Sequence, residues 1–483
     1  MKGNSGLACL LLCWLPLGAA GQIQIQQFQQ FQPGVNFMQF GNQNAKAELM
    51  PDPSSDVLGF VDGSALHGEL ARMDLEHGLT WAQPEARNPI HFQPAHIDFI
   101  RFAHAHAVSV RPTCHLWFAN GDDLYGSITS LDDQRLGFHT WFGGSMVIPR
   151  AAVRAITLLA ANYSVLYEGP YDAGGWMVVN NSQKSWTFRD GAFLGTGPGP
   201  LGRELNLTNS VTVEFDLTWT GMFALDAGIY CDGSGRQEFN NGSCVVTLTP
   251  RQISLNQFQN MGMLMNMVNM AGAPLAGIES QSRMHVAIEC DRAQGTVTVF
   301  INHALAKTWK DCSFGSGTGV AFTQRYVLPN ATLRLSHLKV SQWEGRCEPE
   351  TASLATNTDA MYFINHDRAA GKIESIRDGK VRLALGATML DIPLERVTQM
   401  EFAAPKATVE PSGPWQVRAH FPGGGSLSFQ LEKWDEKAVS GQSAIFGSLA
   451  FQTGAIREME FNLNHAKKDR AAAENKEFEE LDE

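Results

Sequence analysis

The sequence predicts an all-β protein in which two pairs of similar segments flank a middle block of longer strands. Four stretches, at residues 58–102, 116–158, 361–402 and 417–461, share short strand-like runs separated by turn residues. We call them the first to fourth segments. The middle block, about residues 163–344, has longer alternating runs of apolar and polar residues. A recurring unit of this size must bury its apolar face against itself or a neighbour, so its spacing indicates the architecture.

Composition limits the classes of function. The chain has 483 residues, enough for several cores, and 44% of them are apolar. Its net charge of −12 argues against a nucleic-acid partner, because phosphate binding needs a basic stripe. The last residues, 464–483, are predicted to be a solvated acidic tail.

Residues 1–21 are predicted to be an export signal. Lys2 precedes the apolar run LACLLLCWLPL, and small residues suited to cleavage follow at positions 18–21. The run is too short to span a bilayer, and no later stretch reaches 18 apolar residues, so no transmembrane segment is predicted. We therefore expect a secreted, periplasmic or cell-surface protein.

A leader rich in glutamine and phenylalanine is predicted at residues 22–52. Glutamine occupies nine of the 23 positions from 22 to 44, with phenylalanines spaced among them. Polar tracts with aromatic spacers are commonly disordered, yet they associate as β-structure. The leader is interpreted either as a flexible tether or as a segment for self-association.

Each segment is predicted to form five short strands with a turn before the last one. Gly68, Gly126 and Gly371 are anchors that lie inside a strand of the first three segments, and Gln430 takes that place in the fourth. Glycine within a strand predicts a bend, as expected where a small barrel curls. Strands of four to eight residues fit such a barrel. The predicted boundaries are residues 53–108, 109–160, 347–405 and 406–463 for the four units and 161–346 for the middle domain.

The last turn and strand of each segment predict a set of equivalent buried positions. In the second segment, a turn after Pro149 leads into the strand VRAITL, and the third segment repeats this plan after Pro393. Apolar residues three positions apart recur at this place in all four segments. The predicted buried pairs are Ile97 and Ile100, Val153 and Ile156, Val397 and Met400, and Ile456 and Met459.

The second segment resembles the Sm-like and Src-homology-3-like barrel repeats of secreted bacterial proteins. The pattern G-D-x-L-x-G-x-I is met at residues 121–128, and I-P-x-x-x-V-x-x-I at residues 148–156. The match is weaker in the first and third segments and weakest in the fourth. This resemblance implies small five-stranded barrels with an architectural role and no common chemistry.

The middle block resembles a concanavalin-like, laminin-G-like jelly-roll sandwich. Residues 211–218 alternate between apolar and polar side chains, and the hairpin DRAQGTVTVFIN at 291–302 carries the most specific part of the likeness. Relatives of this fold include lectins, glycosidases and a 3-keto-disaccharide hydrolase-like group, whose opening resembles residues 186–195. The resemblance implies carbohydrate binding or carbohydrate hydrolysis.

A catalytic set cannot be assigned from the sequence. Family-16 glycoside hydrolases carry Glu-x-Asp-x-x-Glu on one strand, because two suitably spaced carboxylates must protonate the leaving oxygen and attack the sugar. Here Glu214 and Asp216 are followed by Trp219 where the last acid is required. The two acids are therefore interpreted as solvent-facing positions of a strand.

Two groups of residues are candidates for ligand contact. Tryptophan rings can stack on sugar faces, although in a sandwich they also pack in the core. The candidate tryptophans are Trp176, Trp186, Trp219 and Trp309. The methionine-rich stretch 256–277 is interpreted as a flexible partner-binding loop at the sandwich rim, or else as a flap over the core. Its candidate contact residues are Met261, Met263, Met265 and Met267.

Six cysteines remain after the predicted export signal. Export permits disulfides, and the local spacing favours Cys231–Cys244 and Cys290–Cys312. The alternating pair His104 and His106 lacks an evident carboxylate or cysteine partner, so no metal site and no cofactor are predicted.

The sequence therefore predicts a secreted, non-catalytic binding or scaffold protein of bacterial type. Its jelly-roll domain is expected to contact a cell-surface macromolecule or a glycan. The first alternative is a carbohydrate-active hydrolase or lyase, similar to the 3-keto-disaccharide hydrolase-like group. The second is a structural component of a matrix or surface layer.

Overall fold

The computed structural model describes most of the chain between residues 55 and 463. The predicted export signal, leader and acidic tail lie outside the described residues. The described ranges are 55–61, 64–103, 105, 110–178, 185–232, 243–260, 265–278, 281–327, 331–342, 358–365, 367–403 and 413–463.

The four segments have the same order of elements. The first contains β1 (Asp56–Phe60), β2 (Ala65–Asp74), β3 (Gly78–Ala82), β4 (Ile90–Phe92), a 3-10 turn at Pro94–His96 and β5 (Ile97–Arg101). The second contains β6 (Cys114–Phe118), β7 (Asp123–Leu131), β8 (Arg135–Thr140), β9 (Gly144–Pro149), a 3-10 turn at Arg150–Ala152 and β10 (Val153–Leu158).

The middle domain follows, and the third and fourth segments come after it. The middle domain contains β11 (Val165–Gly169), β12 (Met177–Val178), β13 (Trp186–Arg189), β14 (Ala192–Gly195), β15 (Gly199–Glu204), β16 (Ser210–Thr220), β17 (Phe223–Cys231), β18 (Cys244–Leu248), β19 (Gln252–Asn260), β20 (Met265–Pro274), β21 (Arg283–Asp291), β22 (Thr296–Ile301), β23 (Ala304–Trp309), β24 (Gly319–Val327) and β25 (Thr332–Gln342). The third segment contains β26 (Ala360–Phe363), β27 (Arg368–Ala370), β28 (Lys372–Arg377), β29 (Lys380–Leu385), β30 (Thr388–Pro393), a 3-10 turn at Leu394–Arg396 and β31 (Val397–Glu401). The fourth contains β32 (Gln416–His420), β33 (Ser426–Trp434), β34 (Ala438–Ser443), β35 (Gly447–Gln452), a 3-10 turn at Thr453–Ala455 and β36 (Glu458–Glu460).

In every segment the first strand pairs with both the second and the last strand. All these pairings are antiparallel, and the third strand then joins the fourth. The eight apolar residues predicted to be buried at the last turn and strand are indeed buried. That the segments are barrel repeats with the stated boundaries stays a prediction.

The last strands join the segments to one another, the first to the fourth and the second to the third. On β10 and β31, Ile156 lies opposite Met400. On β36 and β5, Met459 lies opposite Ile100. The resulting 21-stranded assembly, which we call the platform, shares one apolar core. The middle domain is therefore an insertion between β10 and β26.

The fourth segment corrects the predicted glycine anchor. Ile128 on the second strand of the second segment pairs with Phe138, and the equivalent pair in the fourth is Leu431 with Gly441. Counting back two residues from each, the position of Gly126 is occupied by Phe429, and Gln430 is one residue further along. The sequence alignment was one residue out, because it searched for a polar or small anchor where a large ring stands.

The middle domain is a sandwich of two antiparallel sheets. Strands β11, β13, β14, β16, β21, β22, β23 and β25 form an eight-stranded sheet, and β12, β15, β17, β18, β19, β20 and β24 form a seven-stranded one. Alternation along each strand sends one set of side chains into a shared core, as Val213, Phe215 and Leu217 show on β16. The predicted all-β fold and central sandwich are confirmed. No described helix is long and apolar enough to cross a bilayer.

The four candidate tryptophans belong to the sandwich core, which contradicts a role as a stacking surface. Their exposed fractions are 8% or less. Buried indoles need a partner for the ring N–H, and three of them donate to Tyr167 Oη, to Gly199 O and to Ala271 O. The tryptophans are Trp176, Trp186, Trp219 and Trp309.

The methionine-rich stretch is a hairpin and not a loop, which corrects the second candidate contact. Strands β19 and β20 pair over most of their length, with Asn260 opposite Met265 and Phe258 opposite Met267. The alternation of asparagine and methionine along β20 is a strand signal that the sequence analysis missed. Met261 and Met263 lie outside the described residues.

The four cysteines predicted to form disulfides are free and buried. Cys244 lies opposite Ile229, two residues before Cys231 on β17. Cys290 pairs with Val297, whereas the Cys312 amide reaches Gly295 O. Cysteines offset by two residues across a strand pair stand about 7 Å apart, and a disulfide needs a Cβ–Cβ separation near 4 Å. Both predicted disulfides were therefore wrong.

Candidate functional site: the cleft between sandwich and platform

Charged side chains cover the outer face of the eight-stranded sheet. On β16, Val213 and Phe215 point into the core, so Glu214 and Asp216 lie on the opposite face. Strand pairing sets Glu214 opposite Lys339 on β25. It also sets Asp216 opposite His285 on β21.

A bulge in β25 adds a histidine to this face. The register of β25 against β16 shifts at His337, whose backbone φ is +49°. A bulge inserts one unpaired residue and re-aims its side chain. Leu338 can therefore remain in the core while both His337 and Lys339 face outward.

The platform supplies the opposing wall. In the second segment, Trp117 on β6 contributes, and in the fourth, Arg418 and His420 on β32 together with Glu458 on β36. Arg101, at the end of β5, completes this wall. A cavity of about 700 Å³ lies between the wall and the charged face of the sandwich. Exposed residues such as Gln281 and Asn302 stand at its rim.

His337 bridges the two sides of the cleft. Its Nδ1 lies 2.9 Å from Asp216 Oδ2 on the sandwich, and its Nε2 lies 2.9 Å from Glu458 Oε1 on the platform. Asp216 Oδ1 in turn lies 2.8 Å from His285 Nδ1. Burial would lower the pKa of His337, but the Glu458 and Asp216 carboxylates outweigh it and raise the pKa to about 10.

Two arginines are tied to acids at the same boundary. Arg101 Nη2 donates to Glu458 Oε2, and Arg283 Nη2 donates to Glu460 Oε1, both at 2.5 Å. Burial alone would raise the pKa of each acid. For Glu458 and Glu460 the nearby arginines and histidines outweigh burial and lower the pKa. For Asp216 the bonds from His285 and His337 do the same.

A second polar group lies at the edge of the fourth segment. His115 Nε2 lies 2.7 Å from Asp123 Oδ2, and Asp123 Oδ1 accepts from both Ser426 N and Ser426 Oγ. Lys339 Nζ donates to Tyr125 Oη at 2.6 Å. Burial would raise the pKa of Asp123, but His115 outweighs it and lowers the pKa. These contacts join the sandwich, the second segment and the fourth segment.

Two glycines allow the close approach of these cationic side chains. Gly191 has φ +63°, and a Cβ there would stand 1.6 Å from Arg101 Nη1. Gly424 has φ +98°, and a Cβ would stand 2.9 Å from Lys339 Nζ. Both backbones adopt the left-handed region that glycine tolerates, so a side chain would be strained as well as crowded.

Some lining groups are left without a close partner. Glu214 Oε1 is buried and has no hydrogen-bond partner, and its other oxygen is 3.9 Å from Lys339 Nζ. A buried unpaired carboxylate oxygen is costly, so it indicates a place for a donor from outside the chain. Arg457 Nε is also buried without a hydrogen-bond partner.

His337, His420 and Glu460 offer three potential metal-ligand atoms within 4.8 Å of one another. The two imidazoles are stacked, with ring centroids 4.5 Å apart and planes 12° from parallel. Imidazole nitrogens bind metals in the plane of the ring, so stacked rings cannot both point at one ion. Both nitrogens of His337 are already engaged with carboxylates. The arrangement therefore fits ion pairing better than metal binding.

The cleft was only partly visible in the sequence. Glu214 and Asp216 were noticed, but their interpretation as solvent-facing positions was wrong, because the platform covers them and both are buried. His337, Lys339 and the platform residues were not predicted. The available signal was an excess of charged residues on the outward positions of three strands. Only the strand register shows that these strands are neighbours.

Comparisons with known proteins give a limited result. No protein-family model matches the chain, and no curated protein matches it significantly. It is similar in part to the carbohydrate-binding module CBM66 from Bacillus subtilis, at 15% identity and a TM-score of 0.26, over 35% of this chain and 96% of the other. It is also similar to the metal-free Emp46p carbohydrate recognition domain (10%, 0.30, 38% and 98%) and to a native glycosidic hydrolase (11%, 0.27, 39% and 96%). Likenesses of this size carry no conclusion about ligand or activity.

Proposed function

We propose that this protein is a non-catalytic glycan-binding protein and that its ligand binds in the cleft between sandwich and platform. The observation that carries the proposal is the cavity of about 700 Å³, into which the unpartnered carboxylate oxygen of Glu214 is directed. A carboxylate in such a cavity can accept hydrogen bonds from the hydroxyl groups of a sugar. Trp117 lines the same cavity and offers an aromatic surface.

Electrostatics favour binding over catalysis. A glycosidase needs one carboxylic acid that keeps its proton near neutral pH, which requires a raised pKa. The lining acids Asp123, Asp216 and Glu458 instead have lowered pKa values, because histidines and arginines outweigh the effect of burial. Ionised carboxylates accept hydrogen bonds but cannot protonate a leaving group.

The test is a glycan array followed by calorimetric titration of the strongest ligand. Glu214→Gln should weaken binding at least about tenfold, because the amide replaces a charged acceptor with a weaker one. Its thermal unfolding midpoint should change little, since Glu214 Oε1 has no partner to lose. Glu395→Gln, at an exposed acid in the third segment, is the matched control and should bind as the wild type does.

Two results would contradict this proposal. Absence of binding to every glycan on the array would remove the ligand class. Full affinity in Glu214→Gln would remove the cleft as the site, even if the protein binds a glycan elsewhere.

A hydrolase is the second candidate, and one observation favours it. Glu214 and Asp216 lie on the same face of β16 and both line the cavity, as two acids of a glycosidase would. Incubation of the array ligands with the protein, followed by chromatography of released sugars, separates the candidates. Release of sugar by the wild type and its loss in Glu214→Gln would establish hydrolysis.

Export, a surface partner and self-association through the leader stay predictions. They fit a glycan-binding role, since extracellular glycans are reached only by an exported protein. Light scattering of the full chain, compared with a variant lacking residues 22–44, tests the leader directly. Equal masses would contradict self-association through this segment.

A further inference from the structure

The further inference concerns two arginines on the platform wall, and it rests on the proposed glycan-binding function. Arg418 lies on β32 between Gln416 and His420, and all three line the cavity. Arg457 lies next to them, because its amide donates to His420 O at 2.9 Å. Alternate residues of a strand are about 7 Å apart, so the two arginines occupy one short stretch of the wall.

These arginines differ from the other two in the cleft. Arg101 and Arg283 each hold a carboxylate at 2.5 Å. Arg418 donates through Nε to Ser428 Oγ at 3.2 Å, and its nearest carboxylate, that of Asp122, is 3.8 Å away. Its terminal nitrogens have no hydrogen-bond partner among the residues that the structure describes.

The acid beside Arg418 is already occupied. Asp122 accepts from Ser428 N, from Ser428 Oγ and from Asn120 Nδ2. It is fully buried, whereas the Arg418 side chain is 31% exposed toward the cavity. The guanidinium therefore has donors to offer to a ligand.

Arg457 is held in place without being neutralised at short range. Its guanidinium lies 4.1 Å from the centre of the Tyr171 ring, and its Nε is 3.8 Å from Glu168 Oε1. Glu168 itself accepts from Gly423 N, at 3.0 and 3.2 Å to its two oxygens. Stacking on an aromatic ring fixes the orientation of a guanidinium while leaving its edge free to donate.

We propose that the cleft selects a glycan that carries an anionic group, with Arg418 and Arg457 binding that group. Arginine presents paired donors that match a carboxylate or a sulfate. Glu214, on the sandwich wall, accepts from the hydroxyl groups of the same ligand. The ligand class is thus an acidic oligosaccharide, in which a charged group faces the platform and the sugar hydroxyls face the sandwich.

The experiment uses the full chain and matched acidic and neutral glycans. Oligogalacturonate and its methyl ester share one backbone and differ only in charge, and a sulfated oligosaccharide forms a third arm. Oligogalacturonate or the sulfated sugar should bind at least about tenfold more tightly than the methyl ester. That advantage should fall as salt rises from 50 to 500 mM, roughly, because the contact is ionic.

Arg418→Gln and Arg457→Gln should each remove most of the preference for the acidic ligand and leave the weaker neutral binding unchanged. Arg382→Gln is the control, since Arg382 pairs with Asp391 on the exposed surface of the third segment. Thermal unfolding of each variant shows whether the fold is intact. Rescue of acidic binding by Arg418→Lys would support a charge contact over a purely structural role.

The outcomes separate the two proposals. Equal binding of acid and ester, with no effect of the arginine variants, would overturn the anionic class while glycan binding stands. Failure of all glycans to bind would overturn both. The uronate and sulfate arms distinguish the two sources of negative charge.

Discussion

The second and fourth segments have the same strand order but fill it with opposite residues. In the second, Gly126 lies inside the second strand and the ring of Phe138 fills the neighbouring space, 2.7 Å from where a Cβ of residue 126 would stand. In the fourth, the ring belongs to Phe429 on the second strand, and the glycine is Gly441 on the third. The strand pair needs one large and one minimal residue, and either strand can carry each.

The same two segments differ where they face the cleft. By their pairing with the last strand, Trp117 and His420 occupy equivalent positions, as do His115 and Arg418. The second segment therefore presents an indole to the sandwich, and the fourth presents charged and titratable groups. A shared backbone thus carries an aromatic wall and an ionic wall on one side of the cavity.

Exchanging the large and the small residue should have the largest effect. Gly441→Phe places a side chain 2.3 Å from Gln430 O and against the ring of Phe429, and should cost at least about 4 kcal/mol of unfolding free energy. Phe429→Gly should cost about as much through loss of a buried ring. The double variant restores the pattern of the second segment and should recover at least about 2 kcal/mol of the summed loss. Chemical denaturation measures all three, and strict additivity would show that the two positions are independent.

Gly126→Ala should have the next largest effect. The added Cβ would lie 2.3 Å from the backbone oxygen of His139, which cannot move without breaking the strand pair. We expect a loss of about 3 kcal/mol. Gly413→Ala, at an exposed glycine with no atom within 4 Å of the added Cβ, should change stability by less than about 0.5 kcal/mol. A loss below about 1 kcal/mol for Gly126→Ala would mean that strand β8 yields easily.

A carboxylate distinguishes the third segment from the second at one equivalent position. Asp359 accepts from Ile373 N and Ala403 N and from Arg150 Nη2, whereas the second segment has Cys114 there, whose thiol donates to Gly126 O. Asp359→Ala should cost about 2–3 kcal/mol, because two backbone amides lose their acceptor. Cys114→Ala should cost about 1 kcal/mol. Denaturant midpoints of the two variants test the order, and a larger loss for Cys114→Ala would reverse this interpretation.

The ionic wall of the fourth segment should make stability depend on pH. The pKa of His337 lies near 10 in the folded state and near 6.5 in the unfolded chain. Its contribution is therefore complete below pH 6.5 and is lost as pH rises toward 10. Between these limits the wild type should lose at least about 1 kcal/mol more than His337→Gln. Parallel pH curves for the two proteins in thermal unfolding would contradict the bridge from Asp216 to Glu458.

The sequence supported the main features of the fold because each depends on local pattern. Alternating runs predicted the strands, and apolar residues three apart predicted the buried last turn. Long-range features were less accessible. The offset of Cys231 from Cys244 depends on strand register, and the burial of Trp219 depends on a second sheet packing above it. The hairpin of β19 and β20 was hidden because methionine and asparagine are weak strand signals.

The sequence by itself determined the all-β class, the recurrence of the four segments and the inserted sandwich, because hydrophobic period and turn residues act over a few positions. Only the tertiary structure decided which segments join, since the pairing of β5 with β36 connects residues hundreds of positions apart. It also decided the site. Glu214 and Arg418 come from separate modules, and no local pattern records that their strands face each other across one cavity.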